Sequence, residues 1–271
     1  MKKLDIYCFT SKKYHFLDHL PNNIIPVGLG ETKFPDHYIS ENKGINLSKH
    51  NKYYAEMSGI YWVYKNKLQY YNENDLIGFC HYRRLWLNDC YIKNHNQISS
   101  IFSKILHSHE QLDNKSAETF LLDPTKLKNE NIYDHFVNNH GNILIEQISN
   151  FLEPDLYKAF LEYTQKREFS ACNMFITKPK QFNDYCEFIF PLLEKILIFC
   201  LEKDLCKGNN IKLPAYFIER FTSFWFHHYT KISYLSYAQL GSFFTSNISN
   251  KFINTLKTPF SFLFYPTSLD I

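Results

Sequence analysis

A chain of 271 residues, 45% apolar and 18% aromatic, can bury a large core, which excludes intrinsic disorder and fits one large domain or two small ones. Lysine and arginine number 30 against 27 aspartate and glutamate, and a net charge of +3 without a concentrated basic run gives no footprint for nucleic acid, so no such partner is expected. The seven cysteines are scattered with no C-x-x-C pair and read as reduced, buried thiols rather than a disulfide frame or zinc site.

The N-terminal "MKKLDIYCFTSKK" carries too short an apolar stretch for a signal peptide. No window reaches the roughly 18 apolar residues of a membrane span. A cytoplasmic protein is expected. Positions 4–9 read as a first strand and 24–27 as a second, followed by the glycine turn "GLG" and a long polar loop over 31–47. A helix is expected from Ser48, with Tyr54, Met57, Tyr61, Tyr64 and Leu68 at helical spacing and Ile60 and Val63 widening the apolar surface, so that it packs on more than one side. "LIGFC" (76–80) reads as a buried strand.

Positions 88–135 show no strong period and read as loops and short helices. Positions 144–161 look helical with an interruption at Pro154, and "ACNMFIT" (171–177) reads as another buried strand with Asn173 inside it. A long core helix is expected over 181–203, and Pro214 suits the first turn of the next. The aromatic, weakly basic segment 240–271 either folds back on the core or forms a peripheral contact with a membrane or partner. Strands separated by helices predict an α/β protein with a mainly parallel sheet flanked by helices, in which ligands sit beyond the carboxyl ends of the strands.

That rule draws attention to His81, Tyr82, Arg83 and Arg84, which end the apolar strand. Two arginines offer planar, permanently charged donors for a phosphate, diphosphate or carboxylate, and the neighbouring histidine should be biased toward its neutral form. The competing reading is an ion-paired knot with Glu56, Asp89 or a distant acid. Glu56 and Glu219 stand inside apolar helices and Asn173 inside an apolar strand, so each needs a buried partner or faces a site.

Four ordered blocks, "EMSGIYWVYKN" (56–66), "LIGFCHYRR" (76–84), "NMFITKPKQFNDYCEFIFPLL" (173–193) and "YFIERFTSFWF" (216–226), resemble a bacterial family of glycosyltransferase-like proteins from capsule and lipopolysaccharide gene clusters, catalogued as a domain of unknown function. The resemblance covers most of residues 4–230. It implies a GT-A-like, Rossmann-type domain over 1–238 with 239–271 as an extension, and transfer of a sugar from a nucleotide-sugar donor, uridine-diphosphate-linked, to a glycan or lipid-linked glycan acceptor. It also marks Glu56, Gly59, Tyr61, Trp62, His81, Tyr82, Arg83, Arg84, Asn173, Glu219 and Arg220 as motif positions.

Many GT-A enzymes carry an Asp-x-Asp metal motif where this chain has His81–Arg84. No metal ligand or cofactor beyond the donor is indicated, and arginine charge can take the metal's place. The expected roles are Arg83 and Arg84 on the diphosphate, His81 orienting or protonating a leaving oxygen, Glu56 anchoring ribose or an arginine, and Asn173 and Glu219 at sugar or acceptor, with Glu219 as base. The other donor-side positions are Gly59, Tyr61, Trp62, Tyr82 and Arg220. The alternative is a non-catalytic binding module of a polysaccharide assembly complex.

Overall fold

The computed structural model describes residues 2–88, 103–113 and 116–240. The expectations for the aromatic segment beyond Leu240 and for Asp89 as an ion-pair partner fall outside them.

Strand β1, Leu4–Thr10, is buried at every position. Leu4, Ile6 and Cys8 enter one apolar cluster, and Tyr7 and Phe9 enter the other, so the strand is covered on both faces. Its neighbours are β2 (Ile24–Gly28) and β4 (Leu76–His81), both parallel to it, with β3 (Ile39–Ser40) parallel to β2 at the edge. On the other side of β4 comes β9 (Phe175–Thr177), antiparallel, then β6 (Thr119–Leu122) and, parallel to β6, β10 (Ile232–Leu235). The main path of the sheet is therefore β10-β6-β9-β4-β1-β2-β3. β5 (Arg84–Trp86) turns back antiparallel to β4, and β11 (Tyr237–Gln239) pairs antiparallel with β5. A separate short ribbon joins β7 (Thr125–Lys126) to β8 (Glu168–Phe169).

The helices are α1 (Asn51–Tyr54), α2 (Glu56–Asn66), α3 (Ile132–His140), α4 (Ile143–Gln147), α5 (Pro154–Thr164), α6 (Pro179–Glu202) and α7 (Leu213–Tyr229). α2 meets the sheet on one side, where a Cβ on Gly59 would stand 2.5 Å from the Phe9 ring, and α6 on another, through Tyr61–Phe190 and Tyr64–Phe182 edge contacts. Pro154 and Pro214 open their helices, where the missing N–H is no loss. Pro191 lies within α6 on its exposed side. Among the described residues no helix is long and apolar enough to cross a membrane.

The expected α/β architecture, with its parallel strands flanked by helices, is the one observed. Three local differences have physical reasons. The helix expected from Ser48 starts as a 3-10 turn and breaks at Ala55, whose backbone takes φ 47°, ψ −129°. The strand expected over 171–177 is a strand only from Phe175, because Cys172 (φ 76°) and Asn173 (φ 48°) turn the chain first. β6 arises inside the stretch read as loops, since four buried residues are too few to show a period. β11 holds the chain in the sheet through Gln239.

Candidate active site

The carboxyl end of β4 carries the site. His81 and Arg84 face each other across the β4–β5 hairpin, with Tyr82 and Arg83 as its turn. A directly opposed pair projects to the same side of the ribbon, so His81 and Arg84 act together while Arg83 is exposed above them. Tyr82 stacks on Tyr14 (centroids 4.5 Å apart, planes at 11°), and the Arg83 guanidinium lies 5.4 Å from the Tyr82 ring centre.

β9 is antiparallel to β4, so the turn that leads into β9 arrives at this same end. That turn, Ala171–Cys172–Asn173, is where the four sequence blocks meet. His81 Nε2 lies 2.8 Å from the Cys172 carbonyl oxygen, which only accepts, so Nε2 carries the proton and Nδ1 is left as the acceptor. The Cys172 amide donates to Glu219 Oε1 at 2.5 Å. Asn173 Nδ2 donates to Glu56 Oε1 at 2.8 Å, while its Oδ1 receives the Thr222 hydroxyl at 3.0 Å. Thr222 Oγ1 in turn lies 2.7 Å from the Tyr185 hydroxyl. Asn173 is 2% exposed, and both ends of its amide are satisfied.

Behind Glu219 stands a buried clamp. Arg220, 4% exposed, donates to Glu219 Oε2 at 3.1 Å and to the Tyr216 carbonyl at 2.8 Å, and its other terminal nitrogen lies 2.9 Å from His135 Nδ1. A guanidinium only donates, so His135 accepts there with an unprotonated Nδ1. The rings of Phe136 and Phe169 lie 5.5 and 5.2 Å from the Arg220 guanidinium carbon.

The electrostatics follow from this packing. Burial lowers the His81 pKa, Arg84 adds to that, and Glu56 opposes it. Burial also works against the Arg84 charge, but Cys172 and Tyr237, which ionise only in the alkaline range where an arginine titrates, together with the carboxylates Glu219 and Glu56, outweigh it and hold Arg84 above its ordinary value. The Cys172 thiol is pushed up to about 12, chiefly by burial, and stays a thiol. Burial, then Arg220, keeps His135 below its ordinary value. The Arg84 Nε is buried with no hydrogen-bond partner.

Three of the five non-glycine residues with positive φ in the described chain, Ala55, Cys172 and Asn173, adjoin these groups. Strain is concentrated where the site is built. At Ala55 it is held by Asn51 Nδ2 and Ser58 Oγ, which donate to the Ala55 carbonyl at 2.9 and 2.8 Å, and it starts α2 at Glu56. A carboxylate at that position meets the positive end of the helix dipole.

The sequence-predicted residues thus divide. His81, Arg84, Glu56, Asn173 and Glu219 come together, with Arg83 and Tyr82 at the rim. Gly59 and Trp62 do not join them. Gly59 is packed under Phe9 and Leu29, and the Trp62 indole donates to the Lys43 carbonyl at 2.5 Å. Tyr61 packs against Phe190, and Arg220 is consumed by its internal partners. Sequence reading missed Cys172, Thr222, Tyr185, Tyr237 and His135. The only available signal was polar character inside an apolar helix, which Thr222 shares with many ordinary positions, whereas His135 stands among polar neighbours. Among the described residues no three His, Cys, Asp or Glu side chains are grouped to hold a metal ion.

Known proteins resemble this arrangement at two levels. A family described as a domain of unknown function, DUF4422, matches residues 5–231. No curated protein matches the chain. Among solved structures, the apo WbbM bifunctional glycosyltransferase shares the fold with a TM-score of 0.70 at 20% identity, over 89% of this chain and 46% of that one. The chain spans about half the length of that protein, and the likeness gives it a GT-A-like α/β fold.

Proposed function

The chain belongs to that family of unknown function, and from this premise we propose that it is a glycosyltransferase. It takes a nucleoside-diphosphate sugar at the carboxyl end of β4 and transfers the sugar to a glycan or lipid-linked glycan acceptor. The observation that carries the reading is Arg84, a half-buried cation held at the carboxyl end of β4 beside the exposed Arg83. Two guanidinium groups at one strand end suit the oxygens of a diphosphate. The fold likeness to a protein named as a bifunctional glycosyltransferase supports the same class. The sequence blocks favour a bacterial capsular polysaccharide or lipopolysaccharide as product.

In this reading the leaving diphosphate is neutralised by arginine, and no step requires a divalent ion. His81 does not protonate the leaving group, because its N–H is engaged by the Cys172 carbonyl. It fixes the 171–173 turn instead.

Titration calorimetry with UDP, with Mn²⁺ and with EDTA, tests the reading. Arg84→Ala should weaken UDP by about 10- to 100-fold, the loss of one charged hydrogen-bonding group, and EDTA should leave the affinity unchanged. Unaltered UDP affinity in Arg84→Ala removes the diphosphate assignment. Saturable binding across a panel of UDP-hexoses with no turnover favours the non-catalytic alternative.

A further inference from the structure

The two carboxylates at the Cys172–Asn173 turn are not equivalent. Glu219 has both oxygens engaged, Oε1 by the Cys172 amide and Oε2 by Arg220. Behind it Arg220 is fixed by the Tyr216 carbonyl, by His135 and by the Phe136 and Phe169 rings. A carboxylate so placed is a strut, since taking up a proton would break the pairing that holds the turn.

Glu56 is held on one side only. Its Oε1 receives Asn173 Nδ2, and its Oε2 has no hydrogen-bond partner among the described residues, on a half-buried side chain at the first position of α2. The amide that orients it cannot turn over, because Thr222 donates to Asn173 Oδ1 and Thr222 is itself bonded to Tyr185. A base needs this combination: one oxygen anchored and the other open to a substrate hydroxyl.

We propose that Glu56, through Oε2, is the catalytic base that takes the acceptor proton, and that Glu219 is a positioning residue for the turn. The proposal rests on the glycosyltransferase reading. In the step, the acceptor O–H gives its proton to Glu56 Oε2 and its oxygen forms the bond to C1 of the donor sugar. The bond from C1 to the phosphate oxygen breaks, and its electron pair stays on the diphosphate opposite Arg84. Attack from the face opposite the leaving group inverts the anomeric centre. The proton on Glu56 is released to water after the product leaves.

The test follows nucleotide release from a panel of UDP-hexoses, and UDP binding by calorimetry, in the full chain and four variants. Glu56→Gln should bind UDP within about threefold of the parent and lose turnover by about 10²- to 10⁴-fold, the usual yield of a positioned base. The acid limb of its kcat profile should vanish with the rate. Glu56→Asp should keep part of the activity and the acid limb. Glu219→Gln should keep the acid limb while lowering Tm, because its loss loosens the turn.

Full turnover by Glu56→Gln at unchanged Tm, loss of the acid limb in Glu219→Gln instead, or retention of anomeric configuration each overturns the base assignment while leaving the donor site standing. Unchanged UDP affinity in Arg84→Ala, or no binding or turnover of any donor by the parent, counts instead against the reading on which the proposal rests.

Discussion

Glu41 illustrates what a single residue does to this protein outside the chemistry. It follows β3, is 0% exposed, and receives the Gly30 amide on Oε1 at 2.5 Å. Burial raises its pKa from 4.5 to about 7, against the lowering effects of the Gly30 amide and Ser58 hydroxyl. The folded chain therefore keeps a proton that the unfolded chain gives up. The associated stability is fully present below about 4.5 and is lost as the pH rises to about 7, an effect on the order of 3 kcal/mol. Glu41→Gln should be more stable than the parent at pH 8 and match it near pH 4.5. Denaturant melts at the two pH values check this, and equal midpoints at pH 8 would contradict it. The sequence marked Glu56, Asn173 and Glu219 by one physical rule, that a polar group in an apolar run needs a partner, and His81 and Arg84 by another, that ligands of an α/β sheet sit beyond the carboxyl ends of its strands. It could not separate Arg83 from Arg84, because only the hairpin register puts one at the rim and the other beside His81. Glu41 and His135 escaped the first rule, since each stands in a stretch where polar residues are common and only the fold buries it.

At the scale of elements, α2 joins core and site. Gly59 lets it settle on β1, and Glu56 stands one turn earlier on the same helix. A Cβ at position 59 would come within 2.5 Å of Phe9 and 2.7 Å of Leu29. Gly59→Ala should therefore lift α2 from the sheet, costing about 1–3 kcal/mol through overpacking despite the better helix propensity of alanine. It should also weaken turnover by moving Glu56 relative to Asn173. A thermal melt and a nucleotide-release assay read the two effects, and an unchanged Tm would refute the packing account. Periodicity made α2 and α6 legible because their apolar rows span several turns. It failed at 171–173, where an apolar run interrupted only by Asn173 hides two residues of positive φ. Neither Cys172 nor Asn173 signals that conformation by its neighbours, and the strain shows only once the Glu56, His81 and Glu219 contacts are in place.

For the molecule as a whole, histidines set the response to acid. Burial is the first cause that lowers the pKa of His81, His135, His140 and His227, the last to about 4. Below the ordinary histidine value the unfolded chain takes up protons that the fold refuses, so stability present above about 6.5 is lost as the pH falls. Calorimetry should find Tm lower at pH 5 than at pH 7, with a steeper fall in Glu41→Gln, which lacks the opposing carboxyl effect. His227→Gln should flatten the fall, and a Tm independent of pH over this range would rule the account out. The architecture was readable from the alternation of strands and helices. The pairing of β5 with β11 was not, because contacts between distant segments of short strands leave no local trace in a sequence.

That pairing has a consequence for how the protein comes into being. The hairpin bearing Arg83 and Arg84 is closed on its free edge by Tyr237–Gln239, and the Leu240 amide donates to the Arg83 carbonyl at 2.7 Å. Residues made early in synthesis thus wait for residues made late. A nascent chain can lay down β1, β2 and β4 as it leaves the ribosome, but its arginine hairpin keeps an open edge until residue 240 has emerged. Completion of the arginine hairpin is thereby tied to translation of the whole described domain, and a prematurely terminated chain ending before β11 would expose an unpaired strand edge where the complete one holds its cation.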